Sequence, residues 1–278
     1  MCHEERGQSV ASVAEVYERY MVPAAFALWA ADLLVWLALP LGSRVLDVAC
    51  GTGIVARLTA PLTGATGVVV GLDLHEGMLA VARAQAPTGV WVQGSATALP
   101  YATAAFDVVV CQQGVQFFPD RLTALQEMVR VLRPGGRVAL GVWGALADNP
   151  GHAALAQGLA QHLGPAVAAV LHTSFSLGDA ETLQRLLAQA GCRDVVLSHS
   201  VQMLRFASPE AFVRVWVRGS VLGRAGVEVH DDVLTAIVRE VTAALRPYIN
   251  EEGLGVPIAA HLAVGYTASE GPGQGDGA

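Results

Sequence analysis

The chain contains no lysine; all 17 of its basic residues are arginine. That excludes a Walker A lysine, a Schiff-base lysine for pyridoxal phosphate and a Tyr-x-x-x-Lys dehydrogenase pair. Acidic residues outnumber basic ones by 24 to 17, for a formal charge of −7, and an acidic surface repels polyanions, so no nucleic-acid partner is expected. Cysteine is scarce: Cys2, Cys50, Cys111 and Cys192 lie far apart with no C-x-x-C pair. This argues against a zinc site or a disulfide framework, and for a reducing, cytoplasmic setting with no metal. The charged opening Met1-Cys2-His3-Glu4-Glu5-Arg6 does not read as a signal peptide. Charged residues make up only 15% and hydrophobic residues 53%, enough for one large domain with its own core.

Long apolar runs are also few. Residues 22–41 are long enough to cross a bilayer, but Asp32 sits in the middle and Pro23 and Pro40 bracket the run. A central aspartate costs about 2.5–3.5 kcal/mol on insertion scales. The run is therefore read as helix packed on a globular core, with no membrane span.

The first forty residues read as helix, with Ser12 as N-cap and Glu15 completing a capping box. From Arg44 onward, apolar strands (44–49, 67–72, 90–92, 106–111 and 137–142) alternate with helices at 52–61, 76–86 and 119–132; Arg133-Pro134-Gly135-Gly136 is a turn. Continuous apolar strands separated by helices predict a parallel sheet covered on both faces. Beyond Trp143 the pattern loosens into helical segments at 145–175, 179–190, 208–218 and 231–245, with strands towards Phe206 and at 256–267. The predicted fold is α/β: a Rossmann-like, doubly wound, mainly parallel seven-stranded sheet with an antiparallel last strand and a helical cap. Residues 1–43 form a cap segment, and 44–270 the main domain with insertions at about 145–176 and 208–254. The glycine-rich tail 271–278 reads as disordered.

The informative run is Asp47-Val48-Ala49-Cys50-Gly51-Thr52-Gly53-Ile54-Val55-Ala56. A strand ends in a glycine turn that opens a helix, where backbone can approach a ligand and free N–H groups face an anion. Gly51-x-Gly53-x-x-Ala56, with Asp73 22 residues after Gly51, also satisfies the dinucleotide fingerprint, which leaves a nicotinamide oxidoreductase open. Asp47 tilts the balance. A carboxylate four residues before the glycine turn suits a cationic ligand group better than a pyrophosphate. A ligand with an ammonium, a carboxylate and a ribose would use Asp47, the helix N-terminus and Asp73, and S-adenosylmethionine carries all three.

At this point the chain resembles the class I S-adenosylmethionine-dependent methyltransferases, and within them the ubiquinone/menaquinone-biosynthesis type. The resemblance rests on Asp47–Gly53, on Gly71-Leu72-Asp73-Leu74-His75-Glu76-Gly77-Met78-Leu79, on Gly94-Ser95-Ala96-Thr97-Ala98-Leu99-Pro100-Tyr101, on Ala105-Phe106-Asp107-Val108-Val109-Val110 and on Val131-Leu132-Arg133-Pro134-Gly135-Gly136-Arg137, in that order. It implies S-adenosyl-L-methionine as cofactor. The methionine end would lie on Asp47, Gly51, Thr52 and Gly53, and the ribose on Asp73. The adenine would lie between Leu74 and Met78 with its edge at Ser95 and Ala96. Gln112, Gln116 and Tyr20 would complete the cofactor site. Family members commonly carry aspartate where Ser95 stands, so the contact here lacks charge assistance.

Methyl transfer from a sulfonium needs alignment more than a catalytic side chain, so no obligatory catalytic residue is expected. His152 and His172, in the 145–176 insertion, are the candidate bases. Cys111-Gln112-Gln113-Gly114 replaces the Asn-Pro-Pro-Tyr type of motif, against methylation of nucleobase amines. Phe26, Trp29, Phe117, Trp143 and Phe175 are expected to wall a site for a small, largely apolar metabolite, methylated on oxygen, carbon or nitrogen. A homodimer is compatible with the sequence. The competing readings are a nicotinamide-dependent oxidoreductase and a cofactor-binding protein of the same fold that does not turn over.

Overall fold

The computed structural model describes residues 12–219, 222, 226 and 229–269. The tail read as disordered (271–278) and Cys2 lie outside the described residues.

Helix α1 spans Val13–Leu37. Its start is the expected capping box: Ser12 Oγ accepts the Glu15 N–H at 3.2 Å, and Glu15 Oε2 accepts the Ser12 N–H at 2.6 Å. Its middle, Tyr17–Phe26, is π-helical and contains Pro23. Proline has no amide hydrogen and its ring crowds the carbonyl one turn back, so the wider turn of an i→i+5 helix relieves a position where a regular α-helix would kink. The sequence placed Pro23 at the edge of an apolar run; the helix instead passes through it. By length and composition α1 suffices to cross a membrane, yet half of its most apolar window is buried. Trp29, Ala30, Leu33 and Leu37 pack inward, and Asp32 accepts a hydrogen bond from Gln202 Nε2.

The strands are β1 (Arg44–Val48), β2 (Val68–Asp73), β3 (Val90–Gln93), β4 (Phe106–Gln112), β5 (Leu132–Trp143), β6 (Arg193–Phe206), β7 (Ile249–Asn250) and β8 (Gly253–Tyr266). They form one sheet ordered β3-β2-β1-β4-β5-β8-β6, with the two-residue β7 pairing with β8 off this path. The pairs from β3 to β5 are parallel, and β8 runs antiparallel to both β5 and β6. The expected mainly parallel, Rossmann-like sheet with an antiparallel last strand is therefore present, with β7 as a short addition. Residues Arg133–Gly136, read as a turn, fall inside β5 as a bulge between the Phe106–Leu132 and Val108–Arg137 pairs.

Side chains alternate across the sheet as strand geometry requires. Val45, Val108 and Val110 join one core with α1; Leu46, Val109 and Cys111 join the other. The second core is closed by α4 (Arg121–Arg130) and α7 (Ala180–Gln189), through Leu125, Met128, Leu183 and Leu187. Helices α2 (Ile54–Thr63) and α3 (Glu76–Gln85) link the first three strands. The cap comprises α1, α5 (Pro150–Leu163), α6 (Pro165–Thr173), α8 (Pro209–Gly219) and α9 (Asp231–Ala244). It packs on the first core and brings α1 and α8 together over the carboxyl ends of the parallel strands.

Candidate active site

The chain leaves β1 for β2 on one side and reaches β4 on the other. Beyond the carboxyl ends at this switch point, where open α/β sheets bind ligands, lies a cavity of about 480 Å³, a size suited to a small-molecule ligand. Gly51, Asp73, Leu74, Met78, Ser95 and Ala96 line one end; Phe26, Gln112, Gln113, Phe117, Trp143 and Trp216 line the other.

The glycine turn forms the floor. Gly51 has φ +57°, and a Cβ built there meets only the Tyr17 ring, at 3.8 Å, so this backbone is open to the cavity. Gly53, at φ +85°, does not line it. A Cβ there falls 2.3 Å from the Trp91 indole, and one on Gly71 falls 2.5 Å from the same ring. Gly53 thus makes room for a tryptophan under the loop, correcting the expectation that both glycines face the ligand. Thr52 is fully buried, with Oγ1 unpartnered, and also lies outside the wall.

Asp73 ends β2 at the cavity wall. The Gly51 N–H donates to Oδ2 and the His75 N–H to Oδ1, both at 2.8 Å. Each oxygen keeps a lone pair for a ligand hydroxyl, and the two amides fix the plane of the carboxylate. Asp47 behaves differently. It is 1% exposed, it does not line the cavity, and its Oδ2 accepts the Ala56 N–H at 3.0 Å from the first turn of α2. Burial raises its pKa to about 8, helped slightly by the Asp73 charge and opposed by the Ala56 hydrogen bond. At neutral pH it is mainly a protonated acid beneath the loop; the expectation of an exposed anion facing a ligand cation is corrected. The signal was in the sequence: both faces of β1 pack on cores, Val45 on one side and Leu46 on the other, so an acid inside this strand is buried on either face.

Leu74, Met78, Ser95 and Ala96 gather around one end of the cavity. Ser95 Oγ lies 2.8 Å from Thr97 Oγ1, and either hydroxyl can donate.

The cap supplies the other end. Phe26, Phe117 and Trp143 line it, and Trp216, Met21 and Tyr17 join them. Tyr17, Met21 and Phe26 are four and five residues apart. In α-helical geometry Tyr17 and Phe26 would lie roughly 180° apart around the axis; the wider π turn brings them to one side. Tyr20 does not line the cavity; it is 45% exposed, with Arg19 over its ring. Trp29 is fully buried one layer back, edge-on to Trp143 with centroids 6.1 Å apart. Phe175 likewise lies behind the wall, 5.1 Å from the His152 ring.

Neither candidate base reaches the cavity. His172 is exposed on α6. His152 is 1% exposed, boxed by Phe175, Phe212 and Trp216, with Nε2 unpartnered. Burial depresses its pKa to about 3, so the imidazole is neutral and too weak a base to take a substrate proton. Spacing along α5 could not distinguish inward from outward; the Ala-rich helix carries no strong polar face to settle it.

Three glutamines meet past β4. Gln112 Nε2 donates to the Phe26 carbonyl at 2.8 Å, tying the sheet to α1. Gln116 is 1% exposed and stands outside the wall, with its Nε2 donating to Gln113 Oε1 at 3.0 Å. Gln113, which sequence reasoning did not single out, takes the wall position.

Comparison with known proteins places these features. Residues 46–140 match the family described as a methyltransferase domain. The chain is 40% identical over 134 residues to a 2-phytyl-1,4-naphtoquinone methyltransferase of Thermosynechococcus vestitus, covering 46% of this chain and 60% of the relative. It is 37% identical over 145 residues to a demethylmenaquinone methyltransferase of Lactococcus lactis, covering 49% and 58%. The matches thus span less than two thirds of these relatives' own length. Among solved structures, the YcgJ protein of Bacillus subtilis superposes with a TM-score of 0.59 at 18% identity, over 87% of this chain and 99% of that one. At that identity the likeness establishes the fold.

Proposed function

We propose that this chain, whose residues 46–140 match a methyltransferase domain family, is an S-adenosylmethionine-dependent methyltransferase acting on a small, largely apolar acceptor. The observation that carries the reading is Asp73: a carboxylate at a strand tip, its plane set by the Gly51 and His75 amides, facing a cavity floored by a glycine turn. That pair of acceptors fits a ribose whose two hydroxyls each donate to one carboxylate oxygen. Leu74, Met78 and Ala96 offer apolar faces for a purine ring beside it, with Ser95 and Thr97 hydroxyls at its edge. The open backbone of Gly51 takes the amino-acid end. Asp47 stiffens this floor by holding the first turn of α2.

When bound, S-adenosylmethionine would supply a sulfonium-activated methyl group to the lone pair of an ionised acceptor, the C–S electrons remaining on sulfur. The chain contributes alignment and the exclusion of water. Phe26, Phe117, Trp143 and Trp216 form an aromatic wall that suits a flat ring. Among the described residues, that end of the cavity carries no carboxylate or imidazole, which fits acceptors acidic enough to ionise unaided. Relatives named for naphthoquinone and menaquinone methylation support a ring acceptor of this kind. The family match stops at residue 140, before Trp143 and Trp216, so the residues that would select the acceptor lie outside it.

Incubation with methyl-labelled S-adenosylmethionine and a panel of phenols and hydroxyquinones tests the reading. A labelled, organic-soluble product is expected. Tight binding of S-adenosylhomocysteine with no labelled product from any acceptor, or from a cell extract, would favour a non-catalytic binder instead.

A further inference from the structure

We propose that Gln113 holds the methyl acceptor, donating its side-chain N–H to an oxygen of a flat aromatic or quinonoid ring; this rests on the methyl-transfer reading above. Gln113 stands one residue past the end of β4, with φ +55°. Its backbone N–H still donates to the Gly141 carbonyl at 2.7 Å, so the sheet pins it there. A left-handed backbone is unusual for a long side chain; at a cavity wall, such a conformation points to use of the side chain.

The side-chain amide is half paired. Gln116 Nε2 gives its proton to Gln113 Oε1 at 3.0 Å, so the acceptor half of the Gln113 amide is already engaged. The donor half, Nε2, is buried and has no hydrogen-bond partner, while Gln113 itself is 6% exposed and lines the cavity. Gln112 Oε1 and Gln116 Oε1 are unpartnered beside it; buried polar groups in folded proteins are almost always paired, and the Gln113 donor is the one assigned here to a ligand oxygen.

Position decides which ligand. Gln113 lies on the β4–β5 side, next to the register pair Gln112–Gly141, two residues from Trp143 on β5. Gly51 and Asp73 close the β1–β2 side. The aromatic residues Phe26, Phe117 and Trp143 share the Gln113 end. The chemistry selected is therefore a planar ring bearing a carbonyl or ionised hydroxyl oxygen. A neutral amide binds such an oxygen without burying a cation among aromatic rings.

The test compares wild type, Gln113→Leu and Gln113→Glu by tryptophan fluorescence quenching at saturating S-adenosylhomocysteine. The probes are 2-hydroxy-1,4-naphthoquinone, which carries the oxygens, and naphthalene, which does not. Both variants should lose roughly ten-fold or more in affinity for the quinone, the order expected for a lost hydrogen bond to a charged oxygen. Affinities for naphthalene and for S-adenosylhomocysteine should stay within about three-fold. Equal losses for both probes would mean that Gln113 is only structural. Weakened S-adenosylhomocysteine binding alone would assign the amide to the cofactor. Unchanged quinone affinity, or no quinone binding by wild type, would overturn the proposal while the methyl-transfer reading stands. Failure of wild type to bind S-adenosylhomocysteine would remove both.

Discussion

The Gly51 amide donates to the Asp73 carboxylate at 2.8 Å, so the turn after β1 and the tip of β2 are one unit. The ring of Trp91 lies beneath the same loop and fills the space that a side chain at Gly53 or Gly71 would need. Its Nε1 is anchored to the Ala86 carbonyl at 3.0 Å. The loop is held from above by a carboxylate and from below by an indole.

Gly53→Ala should therefore destabilise the fold by about 2–4 kcal/mol, combining left-handed backbone strain with overpacking against Trp91. Chemical denaturation gives the value. In a Trp91→Ala background the overpacking part should vanish, leaving a further loss of about 1 kcal/mol. A full penalty in both backgrounds would mean that the indole is not what the glycine accommodates.

Asp47 predicts a pH signature for the ligand-free protein. Its folded pKa of about 8 is raised above its ordinary 3.8, so the folded chain keeps a proton that the unfolded chain has released. Its contribution to stability is present at low pH and is lost between about pH 4 and pH 8, at about 1.4 kcal/mol per pH unit. His152 acts oppositely: with a folded pKa of about 3 against an ordinary 6.5, it favours folding more as pH rises towards 6.5. The two offset each other below pH 6.5, and above it only Asp47 remains. Melting temperature should fall by about 5 °C between pH 6.5 and 8, and Asp47→Asn should flatten that fall. The same slope in the variant would contradict the assignment.

His152 gives a separate test. A neutral imidazole among Phe175, Phe212 and Trp216, with no partner at Nε2, is a packing residue. At pH 5 it costs about 2 kcal/mol, because the unfolded chain binds the proton that the folded chain refuses. His152→Leu should remove that penalty, so that stability falls by about 2 kcal/mol more between pH 5 and pH 7 than in wild type, where the two groups offset, while methyl transfer stays within about two-fold. A pH-dependent collapse of turnover in this variant would restore His152 as a base.

Much of this was legible from residue order. Continuous apolar strands interrupted by helices imposed the parallel sheet, and the run from Asp47 to Gly53 with Asp73 beyond it located the cavity. What escaped has local causes. Pro23 marks one end of an apolar run in the sequence, and nothing there shows that an i→i+5 turn carries the helix past it and moves Tyr17, rather than Tyr20, to the wall. Gln113 was passed over for its neighbours because strand alternation stops at Gln112, and a +55° turn redirects the next side chain. Trp29 and Phe175 have the right character for a wall but pack one layer behind it, a distinction that depends on helix rotation. Gly53 looks like a ligand glycine until its partner Trp91, 38 positions along the chain, is known.

The most direct test is isothermal titration of S-adenosylhomocysteine into wild type and Asp73→Ala. Wild type should bind one equivalent saturably, and the variant should be weaker by about 2–4 kcal/mol, the order of two lost charge-assisted hydrogen bonds. No heat with wild type, or equal affinity in the two proteins, would contradict the placement of a nucleoside on Asp73 and with it the proposed activity.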